Sequence, residues 1–135
     1  KQLMNSLSNA ISKGLVKSCH DCSEGGLAVC CAEMCFSGEF GMEIDLSKVP
    51  FEITDKKNFT NTTILFSESN SRFIVEVAPK DEDKFEKILA NNVYSKIGNV
   101  TESNRFTVFG INGDRIVDED IFELKNCWQK TLRNM

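Results

Sequence analysis

The chain has 135 residues, 41% of them hydrophobic, which is enough for one domain with its own core. A net charge of −4 at pH 7, with no basic cluster, excludes the electrostatic footprint of a nucleic-acid binder. No apolar run reaches membrane-spanning length and no signal-peptide pattern is present, so the expectation is a cytoplasmic protein with no membrane partner.

The chain opens at Lys1, already inside a helical pattern, and reads as a single domain over 1–135 cut from a longer polypeptide. Leu3, Leu7, Ala10, Ile11 and Leu15 recur at helical spacing and predict a helix over 2–16, with Gly14 a weak point or stop near its end. A short strand over 16–20 should then deliver the polar turn His20-Asp21-Cys22-Ser23-Glu24. Gly25-Gly26 follows, and an apolar segment of helical length over 27–36, for which Ser23 has the side chain of an N-cap. A glycine turn opening a helix is a place where a phosphate can sit. The first backbone N–H groups lack internal partners, the helix dipole is positive there, and glycine lets a ligand approach. Plain turn chemistry accounts for the same two glycines.

Six cysteines raise the question of metal. Cys19-His20-x-Cys22, followed by Cys30, Cys31 and Cys35, has the density of a ligand set. The last three fall inside the helix, however, at spacings that bury them together, and free cysteine behaves as a small hydrophobe. Reduced core thiols and no metal are expected. Downstream, Gly38 and Gly41 close the helix, 42–46 alternates as a half-buried strand, and 47–62 reads as a connection with one short helix. Strands are expected at 64–66 and 72–77 around the turn 67–71. Pro79 should start a helix with Asp81, Glu82 and Asp83 in its first turn and Phe85, Ile88 and Leu89 facing the core. Strands at 94–100 and 105–111, a tight hairpin at Asn112-Gly113-Asp114, and a last helix over 120–132 complete the reading, with Trp128 in a core stripe. Helices and strands without strict alternation predict an α+β layered domain with one mixed β-sheet packed by helices.

Three runs carry a family resemblance. His20-Asp21-x-Ser23-Glu24-Gly25-Gly26-Leu27-Ala28-Val29 with Ala32-Glu33-Met34 closely resembles the HDxS(D/E)GGLAVALAEM signature of phosphoribosylformylglycinamidine synthase, in the C-terminal domain of its synthetase subunit. Leu65-Phe66-Ser67-Glu68-Ser69-Asn70-Ser71-Arg72-Phe73 is similar to a second signature, and Ile97-Gly98-x-Val100-Thr101 to a third. The enzyme is part of the aminoimidazole ribonucleotide synthetase-like superfamily. The resemblance implies a mixed sheet packed by helices, like the C-terminal domain of aminoimidazole ribonucleotide synthetase, with companion synthetase domains preceding it. It also implies an ATP- and magnesium-dependent ligase of purine synthesis, which amidates formylglycinamide ribonucleotide with ammonia from a glutaminase partner.

By the same resemblance the catalytic histidine and most ATP and magnesium ligands lie in preceding domains. This chain would supply no catalytic residue, no metal ligand and no tight nucleotide site of its own. By analogy with an earlier copy of the domain, His20, Asp21, Ser23, Gly25, Gly26, Glu68, Ser69 and Arg72 would line a nucleotide or phosphate pseudo-site. The alternatives are another ATP-dependent synthetase of the superfamily (aminoimidazole ribonucleotide synthetase, selenophosphate synthetase or a hydrogenase maturation factor) or a non-catalytic scaffold domain. Blander roles also exist for single residues: His20 as a hydrogen-bonded turn residue, Asp21 as a turn cap, Glu68 and Arg72 as a surface pair. The shared-site reading requires the two turns to border one concave surface, with Gly26 where the ligand approaches.

Overall fold

In the computed structural model, backbone is described for residues 1–52 and 60–133, and side chains within these up to residue 130. The order is α1 (Gln2–Ser12), β1 (Val16–Asp21), α2 (Gly26–Gly38), β2 (Gly41–Asp45), α3 (Asn61–Phe66), β3 (Phe73–Val77), α4 (Glu82–Leu89), β4 (Gly98–Thr101), β5 (Arg105–Phe109), β6 (Arg115–Asp120) and α5 (Ile121–Arg133). Strands β4-β2-β5-β6 form a mixed sheet in which β2 runs parallel to β5 and antiparallel to β4. The mixed sheet and its helices match the α+β expectation. The first and third strands stand outside it and pair only with each other, as an antiparallel ribbon.

Helix α2 is the centre of the packing. Leu27, Cys30, Cys31, Cys35 and Phe36 are all buried, so its apolar surface runs round the helix instead of forming one stripe. It packs on β1 and β3 of the ribbon, on β2 of the sheet, and on α3 and α5. The core it completes includes Ile44 and Val108, which face each other in the parallel β2–β5 register and are both almost wholly buried. Each such side chain stabilises the fold by roughly 1.5–3 kcal/mol relative to exposure. Cys30, Cys31 and Cys35 therefore sit where their helical spacing placed them, in the core.

Several boundaries differ from the sequence reading. The expected strand 64–66 is instead the end of α3. Thr60 caps that helix, its Oγ1 accepting the Thr63 N–H at 3.3 Å. Ile64 and Leu65, adjacent in sequence, are both buried, which a helical turn permits and a strand with alternating faces does not. Helix α1 stops at Ser12, and Gly14 follows with φ +69°. The strand expected over 94–100 is regular only from Gly98 to Thr101. Pro79 opens a single 3-10 turn, Pro79–Asp81, that leads into α4. The short helix expected within 47–62 corresponds in part to a 3-10 turn at Leu46–Lys48, where Asp45 accepts the Ser47 N–H; positions 53–59 lie outside the described residues.

Candidate functional site

The ribbon register decides which loops meet. Asp21 pairs with Phe73, and the Cys22 N–H continues the ladder by donating to the Arg72 carbonyl at 2.9 Å. The loop leaving β1 and the loop entering β3 therefore share one end of the ribbon. There the Gly25 N–H donates to Glu68 Oε1 at 2.9 Å. Arg72 Nη1 donates to both the carbonyl and the hydroxyl of Ser67, at 3.1 and 3.0 Å. Glu68 thus binds the helix start and Arg72 binds the turn backbone, in place of a Glu68–Arg72 surface pair.

Between the loops lies an open cavity of about 630 Å3, lined among others by Asp21, Ser23, Glu24, Glu68, Ser71 and Arg72. Of the eight residues singled out from the sequence, Asp21, Ser23, Glu68 and Arg72 reach it. The other four, His20, Gly25, Gly26 and Ser69, are not among its lining residues. Gly25, in the left-handed region at φ +76°, is the N-cap of α2, and Ser23 contributes its carbonyl, which accepts the Gly26 N–H at 3.1 Å, so its side chain is not the cap. Gly26 is buried at φ +63°, and a Cβ there would lie 2.7 Å from the Ser67 carbonyl oxygen and 2.8 Å from that of Leu65. The end of α3 fills the space that the sequence reading gave to a ligand.

His20 points away from the cavity, towards α2. Its Nε2 lies 3.2 Å from Glu33 Oε2 and its Nδ1 2.7 Å from the Asp21 carbonyl oxygen. Glu24, Asn70 and Ser71 are lining residues that were not singled out. Glu24 stands inside the first signature and was within reach of the sequence argument. Ser71 is positioned by a left-handed backbone, φ +63°, that no residue type announces.

The lining sets three carboxylates, Asp21, Glu24 and Glu68, against one guanidinium, Arg72. A bare phosphate meets repulsion there, whereas a phosphate carrying a divalent cation brings its own compensation. Among the described residues no group of three His, Cys, Asp or Glu is arranged to hold a metal ion by itself. The thiols are poorly suited to ligation too. A hydrogen bond with Cys30 and burial push the Cys22 thiol far up, and burial takes Cys35 to about 12. Cys19, at the cavity wall, is raised by burial and by the neighbouring Asp21. Thiols held protonated are weak nucleophiles and weak ligands.

Comparison with known proteins follows the same outline. The family described as AIR synthase related protein, C-terminal domain, matches residues 1–111. The phosphoribosylformylglycinamidine synthase subunit PurL of Lactobacillus helveticus is 37% identical over 129 residues, covering 96% of this chain and 16% of that protein. The chain thus spans about one sixth of the length of this relative. Among solved structures, T. maritima PurL complexed with ATP superposes with a TM-score of 0.78 at 22% identity, over 91% of this chain and 21% of that one. The same protein complexed with FGAR gives 0.79 at 22% identity, over 91% and 20%. Superposition over nine-tenths of this chain shows that they share its fold. With most of its length matched by one family, and with that family's fold, the chain belongs to the AIR synthase related proteins, as their C-terminal domain.

Proposed function

We propose that the chain serves as the C-terminal domain of a phosphoribosylformylglycinamidine synthase. It would work within an ATP-dependent ligase that converts formylglycinamide ribonucleotide to formylglycinamidine ribonucleotide. The observation that carries this is the meeting of the first two signature runs at one cavity, where Gly25 and Glu68, forty-three residues apart, are joined by a hydrogen bond. The identity to the PurL subunit across nearly the whole chain supports it. So do the PurL structures complexed with ATP and with FGAR, which have the same fold.

In this reading the domain contributes one wall of a nucleotide site, completed by synthetase domains elsewhere in the protein. ATP supplies the phosphoryl group that turns the amide oxygen into a leaving group, and a glutaminase partner supplies the ammonia. Asp21, Glu24 and Glu68 favour a phosphate that arrives with magnesium, and Arg72 faces its charge. Gly25 and Gly26 shape the helix start instead of touching ligand. The domain alone has half a site and no catalytic group, so its own turnover is nil. Six unpaired cysteines suit a reducing compartment such as the cytoplasm, and among the described residues no helix is long and apolar enough to cross a membrane.

ADP with magnesium, titrated into the labelled chain and followed by NMR, should shift the amides of Asp21, Ser23, Glu68 and Arg72 at millimolar ligand. Shifts confined to the β5–β6 hairpin, or none at saturating ligand, would overturn the assignment of the site.

A further inference from the structure

A chain of polar contacts runs from the last helix to the cavity wall. The Trp128 Nε1–H, on α5, donates to Glu33 Oε1 at 2.8 Å. The other oxygen of the same carboxylate, on α2, lies 3.2 Å from His20 Nε2. The opposite ring nitrogen of His20, on β1, lies 2.7 Å from the Asp21 carbonyl oxygen and 3.7 Å from Asp21 Oδ1. Asp21 in turn lines the cavity. We infer that Glu33 and Trp128 are positioning residues for Asp21, acting through the ring of His20; this rests on the reading of the cavity as a ligand site.

Three observations support a positioning role over a simple helix-to-helix pin. Both nitrogens of His20 are engaged, so the ring cannot turn about its axis without losing contacts at both ends. Both carboxylate oxygens of Glu33 are engaged as well, one by each neighbour, which fixes its plane. The Trp128 ring is itself held, tilted 48° against buried Phe36 with centroids 5.7 Å apart, although about half of the residue is exposed. An exposed tryptophan whose ring and N–H are both committed is a stiff support. It stands on α5 and reaches the signature turn through Glu33 of α2.

His20 is the sole histidine and Trp128 the sole tryptophan, which makes the test spectroscopically clean. Trp128→Phe keeps a ring on Phe36 and removes the donor. Glu33→Gln keeps the shape and replaces one acceptor oxygen by an amide. Ring nitrogen shifts of His20 and the carbonyl shift of Asp21, measured by NMR in the 135-residue chain, should move in both variants while the β5–β6 hairpin signals stay in place. Affinity for ADP with magnesium should fall by about fivefold in Trp128→Phe, the scale of one lost hydrogen bond. His20 ring signals that superimpose on those of the unmodified chain, in whichever variant folds, would overturn the inference. So would unchanged ADP affinity alongside shifted rings, since the support would then position nothing. Failure of the unmodified chain to bind ADP at all would count against the ligand site, while the ring signals would still decide whether the brace exists.

Discussion

The Glu68 carboxylate, forty-three residues along the chain from Gly25, caps the helix that Gly25 opens, with Oε1 2.9 Å from its backbone nitrogen. A negative side chain at the positive pole of α2 answers both an unpaired N–H and the helix dipole. Glu68→Ala should cost about 1 kcal/mol of folding stability, in the range of a lost N-cap. Glu68→Gln keeps an acceptor and should cost less. Urea unfolding of the two variants side by side gives the comparison, and native stability in Glu68→Ala would mean that the contact with Gly25 does not hold the helix start.

Gly26 should be a stability position before it is a ligand position. A Cβ there would meet the carbonyl oxygens of Ser67 and Leu65, which are backbone atoms and cannot swing aside, and the residue would have to hold φ +63°. Gly26→Ala is expected to cost about 2–4 kcal/mol from strain and crowding together, and Gly26→Val more. Denaturation midpoints check this; a variant of native stability with lost nucleotide binding would restore the original ligand reading.

Acid should weaken one particular tie. Asp118 receives Arg105 Nε at 2.8 Å and also pairs with Arg115 at 2.8 Å. The hydrogen bond from Arg105 holds its carboxyl below the usual carboxylate value. Because the folded value is the lower one, the unfolded chain takes up this proton first as pH falls. The stabilisation is therefore complete above about pH 4, the ordinary carboxylate range, and fades as pH drops towards the folded value. Asp118→Asn should flatten the acid limb of a stability–pH profile below about pH 4, with little effect on its shape near neutrality.

Thiol reactivity should sort by burial. Cys127 and Cys19 are exposed; Cys22, Cys30, Cys31 and Cys35 are buried. Alkylation of the native chain at pH 8 should label Cys127 first and Cys19 more slowly, since burial and Asp21 raise the latter's thiol. The remaining four should react only on unfolding, which peptide mapping by mass spectrometry can follow. Rapid native labelling of Cys30, whose thiol the Cys22 hydrogen bond lowers but Cys31 and burial together push up to about 12, would contradict the packing of α2.

The legible parts of the sequence were those governed by neighbours a few residues away. The 3.6-residue pattern announced α1, α4 and α5, the period-two run announced β2, and Asn112-Gly113-Asp114 announced the β5–β6 hairpin, with Gly113 at φ +84°. The apolar run Ile64-Leu65-Phe66 carries no period of its own, and the cap from Thr60 together with double burial settled it as helix. Trp128 fell on the apolar stripe of α5, yet it ends half exposed, because its N–H is used by Glu33 outside the core. At the site, the family signatures named the loops, and the β1–β3 register brought them together. Which side chains face the cavity was set by Glu68 reaching Gly25 and by α3 closing on Gly26, contacts between distant segments that no local pattern encodes.

The placement of β2 in the sheet has a bearing on biosynthesis. This strand is made more than fifty residues before either of its neighbours, since β4 and β5 both lie beyond residue 97. A ribosome must therefore release the chain as far as Val108 before Ile44 can find it, and until then an apolar strand waits with both edges bare. The ribbon of β1 and β3 can close sooner, so the signature turns can come together on a nascent chain whose main sheet does not yet exist.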